Sequence, residues 1–339
     1  MAPPATDTGF TDTSLVRPVA TRVYFVRVFR LVPAWLTANF ITLLGFAAMA
    51  GMFGLALASG AIPHWVLAFA AFAALQAYVV ADHLDGMQAL ASGTASALGE
   101  FLDHYSDSVS GMFLAFVAFE LMPGLEEAVR ASVLWLYLLA FIVTYQERAE
   151  RRHLHFARFG ALEGILVVSA FLLTSAFPWG RAFWLRPLVA GLPGYWLIVV
   201  VAYAVLGGTV VVVLRRIGRV PGSFAAHAGA SAVLAVGSTL GVREGALDAW
   251  LAWALVSAHG AGYLATVMQP HLFGGRPRVD IPAAAMAVLL LAAAMTAPVG
   301  WVQGSAFAVM AWLVLRAVRW VGVVLHTYRE GWVWRNPAP

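Results

Sequence analysis

The chain has 339 residues, 61% of them hydrophobic and only 11% charged, with a mean hydropathy of +0.81 and a net charge of +4. Soluble domains carry about 25% charged residues, so a soluble fold is excluded. The absence of cysteine also excludes disulfides, a thiol nucleophile and thiolate metal sites.

The first 14 residues are polar and read as a disordered tail. Residues 16–31 place Arg17, Arg22, Arg27 and Arg30 among Val, Phe and Tyr, the pattern of an amphipathic helix on an anionic membrane face. Ten apolar runs follow, at about 37–59, 64–82, 101–121, 131–147, 160–178, 195–214, 225–241, 247–267, 281–300 and 304–325. Pro/Gly breakers such as Pro123-Gly124, Pro193-Gly194 and Pro221-Gly222 separate them. With the N-terminus inside, 17 arginines fall on that side and four (Arg130, Arg181, Arg186 and Arg243) on the other. The positive-inside rule then puts both termini in the cytoplasm. All 21 basic residues are arginine and alanine is abundant, which fits a GC-rich bacterial genome and hence a bacterial inner membrane.

The expected fold is therefore all-α: a polytopic integral membrane protein of about ten transmembrane helices with an N-terminal interfacial helix. Residues 1–36 form the tail and interfacial helix, and 37–215 a six-helix core. The last four helices, in 216–339, are candidates for a dimer surface or a lipid entry path.

The chemistry-bearing residues cluster at the second and third spans. Asp82 and Asp85 are three apart and share a helix face; Gly99, Asp103 and Asp107 are four apart and share another. A short turn joins the two helices at the inner surface, which makes them antiparallel neighbours and lets four carboxylates converge. Like charges so close repel, and at a membrane boundary they need neutralising. Carboxylate ligands suit one or two hard divalent cations, Mg²⁺ or Mn²⁺, and those ions partner diphosphates. Gly86 and Gly99 leave bare backbone against which a nucleotide can press. Capping acids, or acids paired with loop arginines, account for one or two such aspartates but not for four at this spacing.

The pattern Asp82-x2-Asp85-Gly86-x2-Ala89, then Gly99-x3-Asp103-x3-Asp107, resembles the signature of the CDP-alcohol phosphotransferase superfamily. His104 directly after the third of these aspartates resembles the choline/ethanolamine branch, as do Trp35-x2-Ala38-Asn39-x-Ile41-Thr42-x2-Gly45 and the Glu163-Gly164 element. The resemblance covers about residues 31–170. It implies a dimeric membrane enzyme that moves a phosphoalcohol group from a CDP-choline- or CDP-ethanolamine-like donor to a diacylglycerol-like lipid hydroxyl, releasing CMP. Asp82, Asp85 and Asp103 would hold one metal ion; Asp103, Asp107 and Asp82 would share a second. His104 is the implied general base, with Asp107 as the other candidate. Asn39 and Gln88 are candidates for cytidine or phosphate contacts, and Glu100 and Glu163 for orienting substrate or ligands.

Two positions depart from the family pattern. Ala38 stands where Pro is usual. Leu90 stands where Arg follows Ala89, which removes a charge worth about 1.5–3 kcal/mol per charge-assisted bond; Arg148, Arg151 or Arg152 are candidates to replace it. Two other readings stay open: phosphatidyl transfer from CDP-diacylglycerol to a soluble alcohol such as inositol or glycerol phosphate, and a non-catalytic or cation-transporting protein that retains the acidic cluster. No nucleic-acid partner is expected. His83 follows Asp82 on a different helix face and reads as facing cytosol or nucleotide. His259 reads as a helix–helix hydrogen-bonding group and Glu120 as a solvated one.

Overall fold

A computed structural model describes residues 10–151, 153–156, 160–189, 191–273 and 277–327. The interfacial segment is helical over residues 17–29 (α1), with one wide turn at Thr21–Phe25. Eleven further helices follow: α2 (Ala38–Leu57), α3 (His64–Ser92), α4 (Ala97–Glu120), α5 (Glu127–Arg151), α6 (Ala161–Ser175), α7 (Pro178–Leu185), α8 (Trp196–Ile217), α9 (Gly222–Arg243), α10 (Ala249–Phe273), α11 (Ile281–Thr296) and α12 (Val299–Thr327). The protein is an all-α integral membrane protein.

Each of the ten expected spans falls on a helix, but the helices differ in how well they suit a membrane. Among the described residues seven are long and apolar enough to cross one, and an eighth counts if α6 and α7 are a single span. The expected span 160–178 covers α6 and only the first residue of α7, and the pair is not straight: the axes bend by 113°. The cause is local. Phe177 is extended and Pro178 opens α7, where its fixed φ suits a first helical turn. Gly180 then packs so tightly on the Thr174 carbonyl that a Cβ would overlap it. Of the remaining two, α11 has only 16 residues. α4 is long enough, but the site's own charges lower its hydropathy.

Short strands correct the expectation of a fully disordered tail. β1 (Phe10–Asp12) pairs in parallel with β2 (Leu154–Phe156), and Thr11 meets His153 at 2.9 Å. Residues 1–9 of the expected tail lie outside the described residues. A hairpin of β3 (Pro187–Val189) and β4 (Leu192–Pro193) joins α7 to α8.

α2 packs along both α3 and α4, while α3 and α4 touch each other only sparsely. The expected antiparallel neighbours are thus splayed, with α2 as their common wall. At Gly45 a Cβ would come within 2.7 Å of the Ala81 methyl, so the glycine is what lets α2 and α3 close. α10 is the most enclosed helix and packs on α4, α5, α9 and α12. Glu147 of α5 is 0% exposed and takes two bonds of 2.8 Å from the Arg216 guanidinium at the end of α8. Glu120 is not merely solvated, since it accepts from Ser59 at 2.8 Å and pairs with Arg130 at 3.4 Å. His259 stacks on His227, which stacks on Tyr263, with ring centroids 4.7 and 4.0 Å apart. This is a ring contact between α9 and α10 in place of the expected hydrogen bond.

Candidate active site on α3 and α4

The turn between α3 and α4 places the acids. Gly93 ends α3 with φ of 65°, a left-handed value that Gly adopts without strain. Ser96 then caps α4, its hydroxyl accepting from the Gly99 amide at 3.1 Å. Asp82 and Asp85 near the end of one helix and Asp103 and Asp107 near the start of the next are thus brought to the same end of the two helices, Asp103 and Asp107 together with His104 as one group. The charge of Asp82 acts on Asp85, Asp103 and Asp107 alike, and Asp103 also feels Glu100.

Each carboxylate is held by a neighbour. Asp85, 4% exposed, accepts from the Thr42 hydroxyl of α2. Asp107 accepts from the Tyr78 hydroxyl at 2.6 Å. His104 Nδ1 lies 3.5 Å from Asp103 Oδ2 and 3.9 Å from Asp107 Oδ2, and the Tyr145 ring sits 5.4 Å from its imidazole. Asp103, His104 and Asp107 each offer a ligand atom, all within 4.8 Å of one another. Asp103 Oδ1 is buried and has no hydrogen-bond partner among the described residues. A bare carboxylate oxygen in apolar surroundings is costly. The carboxylates form a donor set that a hard divalent cation satisfies. The residues present fit such an ion.

The other sequence candidates divide. Asn39 lies beside Gly99, where a Cβ would stand 3.2 Å from Asn39 Oδ1. Gly99 thus makes room for Asn39. Gly86 is exposed, with nothing within 4 Å of an added Cβ. Ala89 is half-buried one turn further along α3. Gln88 is buried, and its amide nitrogen donates to the Leu36 carbonyl at 2.7 Å, pinning the entry to α2. Glu163 accepts from Ser14 Oγ at 2.7 Å and from the amides of Leu15, Val16 and Gly160 at 2.9, 3.2 and 2.9 Å. It anchors the N-terminal segment. Leu90 is 79% exposed. Of the replacement arginines, Arg148 pairs with Glu100 next to Asp103, and Arg151 donates to the Arg216 carbonyl. Arg152 lies outside the described residues.

Thr42, Tyr78 and Tyr145 escaped the sequence reading as site residues. Tyr78 precedes Asp82 by four, so helical spacing alone could have found it. Thr42 lies inside the quoted first-span pattern. Nothing in the sequence marks Tyr145, which reaches the site from α5 through tertiary packing.

The family model for CDP-alcohol phosphatidyltransferases matches residues 35–186, from the entry of α2 to the end of α7. An uncharacterised class-I family protein of Dictyostelium discoideum is 32% identical over 39% of this chain and 33% of its own length. Mouse cholinephosphotransferase 1 is 30% identical over 36% of this chain and 30% of its own. A CDP-diacylglycerol–serine O-phosphatidyltransferase of Encephalitozoon cuniculi is 34% identical over 29% of this chain and 26% of its own. The chain thus spans about a third or less of each of these three relatives. Residues 35–186 are thus similar to the CDP-alcohol phosphatidyltransferase family, a family of transferases of phosphate-containing groups.

Proposed function

We propose that the protein transfers a phosphoalcohol group from a CDP-choline- or CDP-ethanolamine-like donor to a diacylglycerol-like hydroxyl, releasing CMP. The observation that carries this reading is His104 seated against Asp103 and Asp107. Asp82, Asp85, Asp103 and Asp107 would hold one or two Mg²⁺ or Mn²⁺ ions, and Asp103 Oδ1 is the oxygen most in need of one. A cation bound there supplies positive charge against the donor diphosphate. Two carboxylates facing Nδ1 keep the imidazole proton on that atom, which leaves Nε2 to take the proton of the lipid hydroxyl. The hydroxyl oxygen then bonds to the phosphorus bearing the alcohol. The bond from that phosphorus to the bridging oxygen breaks, and CMP departs with the electron pair. Arg148, beside Glu100, takes the place of the charge absent at Leu90. The site faces the cytoplasm, the last four helices serve a dimer surface or lipid access, and the membrane is a bacterial inner membrane.

The relative named for CDP-diacylglycerol and serine favours a second reading, in which the donor is the lipid and the acceptor a soluble alcohol. One assay separates the two. Purified protein in nanodiscs with diacylglycerol and Mg²⁺ is offered CDP-choline, CDP-ethanolamine, or CDP-diacylglycerol plus soluble alcohols, and CMP is measured. Release from a soluble CDP-alcohol, lost in Asp103→Asn, is the expected result. Release only from CDP-diacylglycerol supports the second reading, and none from any donor overturns both.

A further inference from the structure

We propose that His83 is a positioning residue for the metal site, held in place by Phe25 of the interfacial helix. The inference rests on reading Asp82 as a metal-binding carboxylate. His83 Nδ1 lies 2.9 Å from the Val79 carbonyl oxygen and 3.2 Å from Asp82 Oδ2. A carbonyl oxygen can only accept, so Nδ1 carries the hydrogen. That N–H bonds the helix backbone, and the Asp82 carboxylate lies against the same ring nitrogen.

A bond to the preceding turn fixes where the ring begins but not the tilt of its plane. Phe25 fixes the plane: its ring stacks on the imidazole at 3.9 Å between centroids and 16° between planes, and it is 2% exposed. Phe25 sits in the one helix of this half whose arginines read as a membrane-surface face. The strand pairing of β1 and the three bonds from Ser14, Leu15 and Val16 into Glu163 hold the approach to that helix. Phe25, His83 and Asp82 form a chain of contact from the membrane surface to the acidic cluster. Metal-binding carboxylates depend on such outer hydrogen bonds for their orientation, and losing one typically weakens metal affinity about 10–100-fold. The helix over residues 17–29 is on this account part of the metal site.

The test uses full-length protein in nanodiscs without nucleotide. Mn²⁺ binding is titrated by the paramagnetic resonance signal of free ion, and thermal stability is measured alongside. The variants are His83→Ala, Phe25→Ala, Phe25→Tyr and Asp82→Asn. We expect His83→Ala and Phe25→Ala each to weaken Mn²⁺ binding about 10–100-fold, and Phe25→Tyr, which keeps the stack, to bind as wild type does. Lower thermal stability with unchanged Mn²⁺ affinity in His83→Ala would overturn the proposal and leave a merely structural contact. Phe25→Ala leaves the sequence of α3 unchanged, so it decides the matter if His83→Ala does not fold. Wild type that binds no Mn²⁺, or Asp82→Asn that binds like wild type, would instead overturn the reading of the acidic cluster on which the proposal rests.

Discussion

At the residue scale the site is built from short polar side chains and missing ones. Gly99 is the sharpest case, because Asn39 Oδ1 and Ser96 Oγ stand 3.2 and 3.3 Å from where a Cβ would be. Alanine there asks its neighbours to give by a few tenths of an ångström, whereas valine forces Asn39 aside. We expect Gly99→Val to cost about 1–3 kcal/mol, as overpacking does, and Gly99→Ala clearly less. The penalty should shrink in an Asn39→Ala background, where one clashing atom is gone. A double-mutant cycle on unfolding temperature in detergent measures this, and additive effects would show that the two residues do not press on each other.

At the element scale the N-terminal segment is fastened by one carboxylate. Glu163 gathers a hydroxyl and three amides, two of them the open amides of Leu15 and Val16 at the start of α1. Glu163→Ala should release that start at a cost of about 0.5–2 kcal/mol, as for a lost helix cap. Trypsin should then cut after Arg22 and Arg27 several-fold faster than in wild type, with cutting elsewhere unchanged. The elements themselves were largely legible in the sequence. Runs of apolar residues marked most of the long helices, and helical spacing put Asp103 and Asp107 on one face of α4. Short-range pattern does not carry what depends on partners far along the chain. The role of Glu163 depends on residues 14–16, the seat of Gln88 on Leu36, and the bend after Ser175 on a carbonyl pressed against Gly180.

At the scale of the whole molecule, the family-matched part must be joined to helices the match does not reach. Two ion pairs link α5 to residues 216–219 at the end of α8, and they are unequal. Arg216 meets Glu147, which is fully buried, while Arg219 meets Glu150 and is itself 71% exposed. Removing one partner of a buried pair strands the other charge and costs about 3–5 kcal/mol. An exposed pair contributes about 0–1 kcal/mol. Arg216→Ala should therefore lower the unfolding temperature markedly and Arg219→Ala hardly at all. Equal shifts would show that Glu147 finds another partner or water when Arg216 is gone.

α4 has the length of a span without its apolarity, and this bears on how the protein is made. A cell's insertion machinery sorts segments by apolarity as they emerge, and an aspartate at mid-helix opposes entry by about 2.5–3.5 kcal/mol. α4 emerges with Asp103 and Asp107 exposed, and alone it is a poor candidate for the bilayer. Its partners are made first: α2 brings the wall it packs on, and α3 brings Tyr78, whose hydroxyl receives Asp107. The order of synthesis is thus an order of assembly. A rearranged gene that delivered α4 ahead of α2 and α3 would encode every residue of the site, yet present its carboxylates to lipid with nothing to receive them.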